Sequence, residues 1–133
     1  MEGSEKVLLV GGMLSLSYGF LLGIPISVIR MRAPTAPRHL VTAHLAAVIQ
    51  GAMLLALTRA AAFSTLGSTV EVSGAALIVA GCVLFVAGAV TNWLQGVDDH
   101  FAQRSLGWKL LATSGPLNLA GIVVLLVGVL SAL

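Results

Sequence analysis

The chain has 133 residues, of which 58% are hydrophobic and only 9% charged, with a formal net charge of +2 at neutral pH. A soluble domain carries about 25% charged residues, and a domain this small cannot hide so many apolar side chains in one core. Most of the chain therefore has lipid as its solvent. The small charge and the lack of a basic stripe with interleaved aromatics give a nucleic-acid partner no footing, and a single cysteine, Cys82, excludes an intrachain disulfide.

The chain opens on Glu2-Gly3-Ser4-Glu5-Lys6, and the charge-free stretch Val7–Ile29 follows. That stretch is too long for the apolar region of a cleavable signal peptide, so it reads as a first membrane span. It contains Tyr18 and a Gly19-xxx-Gly23 pair. The first loop carries Arg30, Arg32 and Arg38, with Pro34 and Pro37 keeping it extended. A second charge-free stretch, Leu40–Thr58, contains His44 and Gln50. The segment Ala60–Glu71 is rich in Ser, Thr and Ala and reads as a simple connector.

The third stretch, Val72–Val97, carries Gly74, Gly81 and Gly88 at intervals of seven, nearly two full turns, so they form one stripe. Small residues let helix backbones approach closely in membranes. Such a stripe serves packing within the bundle or, in part, contact with a second copy. Continued toward the third loop it meets Asn92, Gln95 and Asp99 and turns polar. Asp98-Asp99-His100 reads as an interfacial charge cluster that can cap a short helix, since adjacent helical residues point in different directions and cannot share a metal. Arg104 and Lys109 follow, and Trp93 and Trp108 flank this loop as interfacial anchors. The last stretch, Leu110–Leu133, holds Ser114, Asn118, Gly121 and Gly128, and its Pro116 is expected to break or kink it.

Crossing about 30 Å of hydrocarbon takes about 20 helical residues, and each stretch suffices. None shows the period-2 alternation of a barrel strand, so the fold class is all-α, a single integral membrane domain of four transmembrane helices. Arg30, Arg32, Arg38, Arg104 and Lys109 lie in loops on one side, against Lys6 and Arg59 on the other. The positive-inside rule places the first and third loops in the cytoplasm and both termini outside, as in a bacterial inner membrane.

Polar side chains gather at one depth. Rise per residue puts His44 about 7–9 Å and Asn92 about 9 Å from the loop side, with Ser114 and Asn118 in the same leaflet. Gln50 and Tyr18 share a deeper layer. His44 is the only His, Asp, Glu, Lys or Arg within the charge-free stretches, and such an intramembrane group is a functional candidate by default. A neutral histidine bonded across helices, a metal or haem ligand, and a proton relay are all open to it. As a ligand it needs a partner for its second nitrogen, and Asn92 or Gln95 is the expected one. Asn92, Gln50 and Asn118, taken singly, also serve as polar contacts between helices.

Around His44 the sequence reads Ala43-His44-Leu45-Ala46-Ala47-Val48-Ile49-Gln50-Gly51, preceded by Arg32-Ala33-Pro34 and Arg38, and the third span ends in Thr91-Asn92-Trp93-Leu94. This pattern resembles the small four-helix membrane isomerases that include hydroxylaminobenzene mutase and styrene oxide isomerase. The resemblance implies a trimer that holds haem b near subunit contacts, with His44 as axial ligand of the iron. It further implies Lewis-acid opening of a small apolar epoxide or arylhydroxylamine and a redox-neutral rearrangement, with Asn92, Gln50, Tyr18 and Asn118 as catalytic candidates. Two positions depart from the pattern. Gln50 stands where the epoxide isomerases have Asn, and the only tyrosine, Tyr18, lies in the first span rather than the third. A haem-bearing anchor or electron-transfer subunit and a small four-helix transporter are the alternatives. The first calls for a second axial ligand, and the second for a carboxylate inside a span, where none is expected.

Overall fold

A computed structural model describes residues 1–133. Four long helices run antiparallel: α1 (Gly3–Arg30), α2 (Arg38–Ala61), α3 (Ser68–Leu94) and α5 (Leu106–Leu130), with a one-turn helix α4 (His100–Gln103) before the last. All four are long and apolar enough to cross a membrane. The chain is a four-helix transmembrane bundle.

The helices overrun the charge-free stretches. Those stretches measure the hydrocarbon, whereas a helix needs only paired backbone and continues into the headgroup layer. Glu5, Lys6, Arg30, Arg38, Arg59 and Glu71 therefore lie in first or last turns. Pro37, with φ of −58°, precedes α2. The Ser105 hydroxyl accepts the Trp108 amide at 3.0 Å and starts α5. Asp99 accepts the amides of Phe101 and Ala102 and starts α4. Pro116 does not end α5, which runs unbroken through it, as α1 does through Pro25. Membrane helices tolerate such prolines because neighbouring groups satisfy the freed backbone.

Two helix pairs make the bundle. α1 packs on α2, α3 packs on α5, and the pairs meet through α3 against α1 and α2. Lipid is as apolar as leucine, so close backbone approach holds each pair together. The α3 glycine stripe is spent on α5. A Cβ at Gly74 would stand 2.7 Å from Val124 Cγ1, and one at Gly88 would stand 2.7 Å from the Gly107 carbonyl oxygen. Gly81 is filled by the Asn118 amide. In the other pair, Gly12 and Gly51 face each other, each 3.0 Å from the opposite carbonyl oxygen when given a Cβ. These glycines thus serve packing within the chain. Two buried clusters fill the remainder. One runs from Leu8 through Leu54 and Ile78 to Leu125. The other, nearer the first and third loops, joins Leu22, Leu40, Ala43 and Ala47 to Val86 and Ala89.

Candidate functional site around His44

His44 sits six residues into α2, about 9 Å along the axis, on the flank that faces α1. Gly19 makes this contact possible. A side chain there would stand 2.8 Å from Val48 Cγ2 and 3.1 Å from the Val48 amide nitrogen, so only glycine lets α1 close on α2 at this level. The imidazole lies over Gly23, where a Cβ would be 3.5 Å from Cε1. Its Nδ1 is 2.8 Å from the Gly19 carbonyl oxygen. A carbonyl can only accept, and it has a second lone pair beyond its helical bond. The neutral ring therefore donates from Nδ1 and keeps its lone pair on Nε2. That atom makes no hydrogen bond and is not among the buried unpartnered ones, so it reaches the surface of the bundle.

The partner of His44 is thus a backbone carbonyl of α1 rather than the expected Asn92 or Gln95. Asn92 is fully buried and points to α5, where its Oδ1 accepts the Ser105 hydroxyl at 2.6 Å. Gln95 is the exposed residue that closes α3. The other polar residues share neither the expected layer nor a place: Asn92 meets the start of α5, whereas Asn118 lies twelve residues into it, about 18 Å along the axis. Ser114 donates to the Leu111 carbonyl at 2.6 Å. Asn118 lies on Gly81, its Oδ1 3.7 Å from Cys82 Sγ. Gln50 is six residues from His44, hence about 120° around the helix, and its Oε1 is buried without a partner. Tyr18 is 43% exposed and helps line an apolar groove of about 370 Å³ with Leu14, Leu54, Val79, Val83 and Val86. His44 does not line that groove. Within one chain, then, Asn92 and Asn118 stand at the α3–α5 contact, His44 stands at the α1–α2 contact, and Tyr18 is beside the groove.

Three features escaped the sequence. The first is Gly19, whose carbonyl is chemically silent in a string of letters. The second is His39, 8% exposed in the first turn of α2; Pro37 as a helix-start signal places it inside the helix. The third is Glu71, 5% exposed in the first turn of α3, which accepts the Ser4 hydroxyl at 3.3 Å. This carboxylate lies just outside the charge-free stretch Val72–Val97, at the end of the bundle remote from His44.

Chemically, a histidine held by a backbone acceptor with its other nitrogen turned outward is arranged to ligate a metal. No group of three His, Cys, Asp or Glu side chains is assembled anywhere, so His44 would act as a lone protein ligand. Neither principal cavity is lined by it, so a bound group would lie against the outer face of the α1–α2 pair. Compared with family models, curated proteins and solved structures, the chain matches none.

Proposed function

We propose that the chain is a haem-binding membrane isomerase, with His44 Nε2 as the axial ligand of haem b and a small apolar epoxide or arylhydroxylamine as substrate. The observation that carries this reading is the Nδ1 contact to Gly19, which fixes ring and tautomer and leaves Nε2 free at the surface. The donor set fits a haem: His44 would hold the iron through a single imidazole and would leave it able to bind substrate as well. The bound iron would supply a Lewis-acid site for the substrate oxygen. The chain's own part is to orient and to exclude water. The lipid-facing apolar wall would exclude water from a group held at His44. The half-exposed Tyr18 hydroxyl is suited to donate to a substrate oxygen, and the unpartnered Gln50 Oε1 can only accept, from a hydroxylamine O–H or N–H. Asn92 and Asn118 hold α5 against α3. A haem held there would need a cover, which a second copy, in a trimer, would supply. In this reading the membrane is a bacterial inner membrane, with the first and third loops cytoplasmic and both termini outside.

The test is an absorption spectrum of detergent-solubilised protein from haem-replete cells. A Soret band is expected, and His44→Ala abolishes it. A colourless wild-type preparation would sink the reading, and a low-spin spectrum with two nitrogen ligands would favour an electron-transfer role instead.

A further inference from the structure

The end of the bundle that carries the first and third loops holds a second cavity, about 380 Å³ in volume, between the start of α2 and the end of α3. Its walls include Arg38, His39, Asn92, Trp93 and Asp98. Two of these end in buried nitrogens that nothing satisfies. Asn92 gives its Oδ1 to Ser105 and leaves Nδ2 without a partner, although the residue is 0% exposed. His39, nine-tenths buried beside the Val97 backbone, leaves Nε2 without a hydrogen bond of ordinary geometry. The exposed Arg38 uses Nη2 on the Asp98 carbonyl at 2.7 Å and keeps the rest of its fork.

An amide nitrogen and a guanidinium can only donate, and an imidazole nitrogen can donate. Unmet donors are costly inside a protein. The group complementary to all three is an oxyanion. A cation suits the cavity poorly. The His39 and His100 rings meet edge-on at 5.4 Å, yet no third ligand joins them, and Arg38 repels positive charge. The Asp98 carboxylate belongs to an exposed residue, where solvent and salt screen it.

We infer that this cavity binds a phosphate group through Asn92 Nδ2, His39 Nε2 and Arg38. The depth fits, because the cavity lies where spans end and loops begin, at headgroup level. Arg30, Arg32, Arg104 and Lys109 crowd the same end and raise the local concentration of anions. Trp93 stands in the wall, and Leu94 and Phe101, each 70% exposed, offer acyl chains an apolar flank. The phosphate can belong to a phospholipid headgroup or be free in solution. The site is on the α3 side of α2 while His44 faces α1, so it stands apart from haem binding.

Two probes separate the sources. Native mass spectrometry of the protein from mixed micelles compares retained phosphatidylglycerol with a phosphate-free galactosyl diacylglycerol. Inorganic phosphate is titrated against Trp93 fluorescence in Trp108→Phe protein. Preferential retention of phosphatidylglycerol, weakened about tenfold by Arg38→Gln, is the expected result. Asn92→Asp should weaken it similarly, since it keeps the acceptor for Ser105 and replaces only the donor. A saturable response to inorganic phosphate with the same variant losses supports the site and assigns it to free phosphate. If neither probe responds, or if both variants bind as wild type does, the cavity holds water only and the inference is overturned.

Discussion

At the scale of single residues, the contact that matters most is between a side chain and an atom that carries no side chain. Gly19 matters in two ways, by lacking a Cβ and by offering its carbonyl. In Gly19→Val, α1 is pushed away from Val48 and the oxygen leaves Nδ1. The imidazole then loses its fixed orientation while His44 itself is intact. Losing such an orienting partner typically costs about 10–100-fold in metal-group affinity. Titration of haem into apoprotein, followed at the Soret band, should show a loss of that size in Gly19→Val and total loss in His44→Ala. Equal affinity for wild type and Gly19→Val would separate haem binding from this contact. The sequence made His44 legible because an ionisable group in an apolar stretch is rare and expensive. Its surroundings were less legible. Depth counted from rise per residue put Asn92, Ser114 and Asn118 in one layer, but Asn92 meets the start of α5 while Asn118 lies on Gly81, eleven residues or about 16 Å further along α3. Direction depends on which neighbour each helix face meets, and that is fixed by packing between distant segments.

At the scale of elements, the α3 stripe was readable as a small-residue face, and its partner was the open question. The structure answers with α5, and this makes the seam testable. A Cβ at Gly121 would stand 2.5 Å from the Gly74 carbonyl oxygen and 2.9 Å from the Ile78 amide nitrogen. Backbone cannot give way there as a side chain can, so Gly121→Val should destabilise the bundle by about 1–3 kcal/mol. Gly115, in the same helix, has nothing within 4 Å of its Cβ position, and Gly115→Ala should change stability by less than about 0.5 kcal/mol. Unfolding in mixed detergent, monitored by circular dichroism, compares the two. The short helix α4 rests on one carboxylate. Amides of Ala102 and Phe101 hold the Asp99 carboxyl below its ordinary value of 3.8. Because the shift is downward, the cap contributes fully above that ordinary value and is lost as pH falls through the lowered one. Hydrogen exchange at Phe101 and Ala102 should stay protected at neutral pH and lose protection only in strong acid, while Asp99→Ala should lose it at every pH. The cluster Asp98-Asp99-His100 announced such a cap in sequence, since Asp is a strong helix starter. The behaviour of Pro116 was not announced, because whether a proline ends a helix depends on what surrounds the freed carbonyl.

At the scale of the whole molecule, the bundle is thin. α3 is the most enclosed of the long helices, while α1 and α5 turn most of their surface outward. The outward surface includes Leu14, Phe20, Leu21 and Ile24 of α1 and Leu45 and Ile49 of α2, all more than half exposed. His44 Nε2 opens onto the outside of this α1–α2 pair, so a single chain gives a haem a ligand and one wall. The proposed function therefore ties cofactor to assembly. If a second copy supplies the other wall, haem binds the assembled form better than the separate chain, and linkage makes the dependence reciprocal. Haem should then raise the association constant of the chains, and dilution in detergent should release haem and subunits together. Sedimentation at two wavelengths, one for protein and one for the Soret band, reads both at once. His44→Ala protein should associate more weakly than haem-loaded wild type and about as weakly as haem-free wild type. A haem-loaded chain that sediments as a monomer at every concentration would refute the shared site while leaving His44 as ligand intact. The outcome thus distinguishes a cofactor enclosed between copies from one lying on a single helix pair and covered only by lipid.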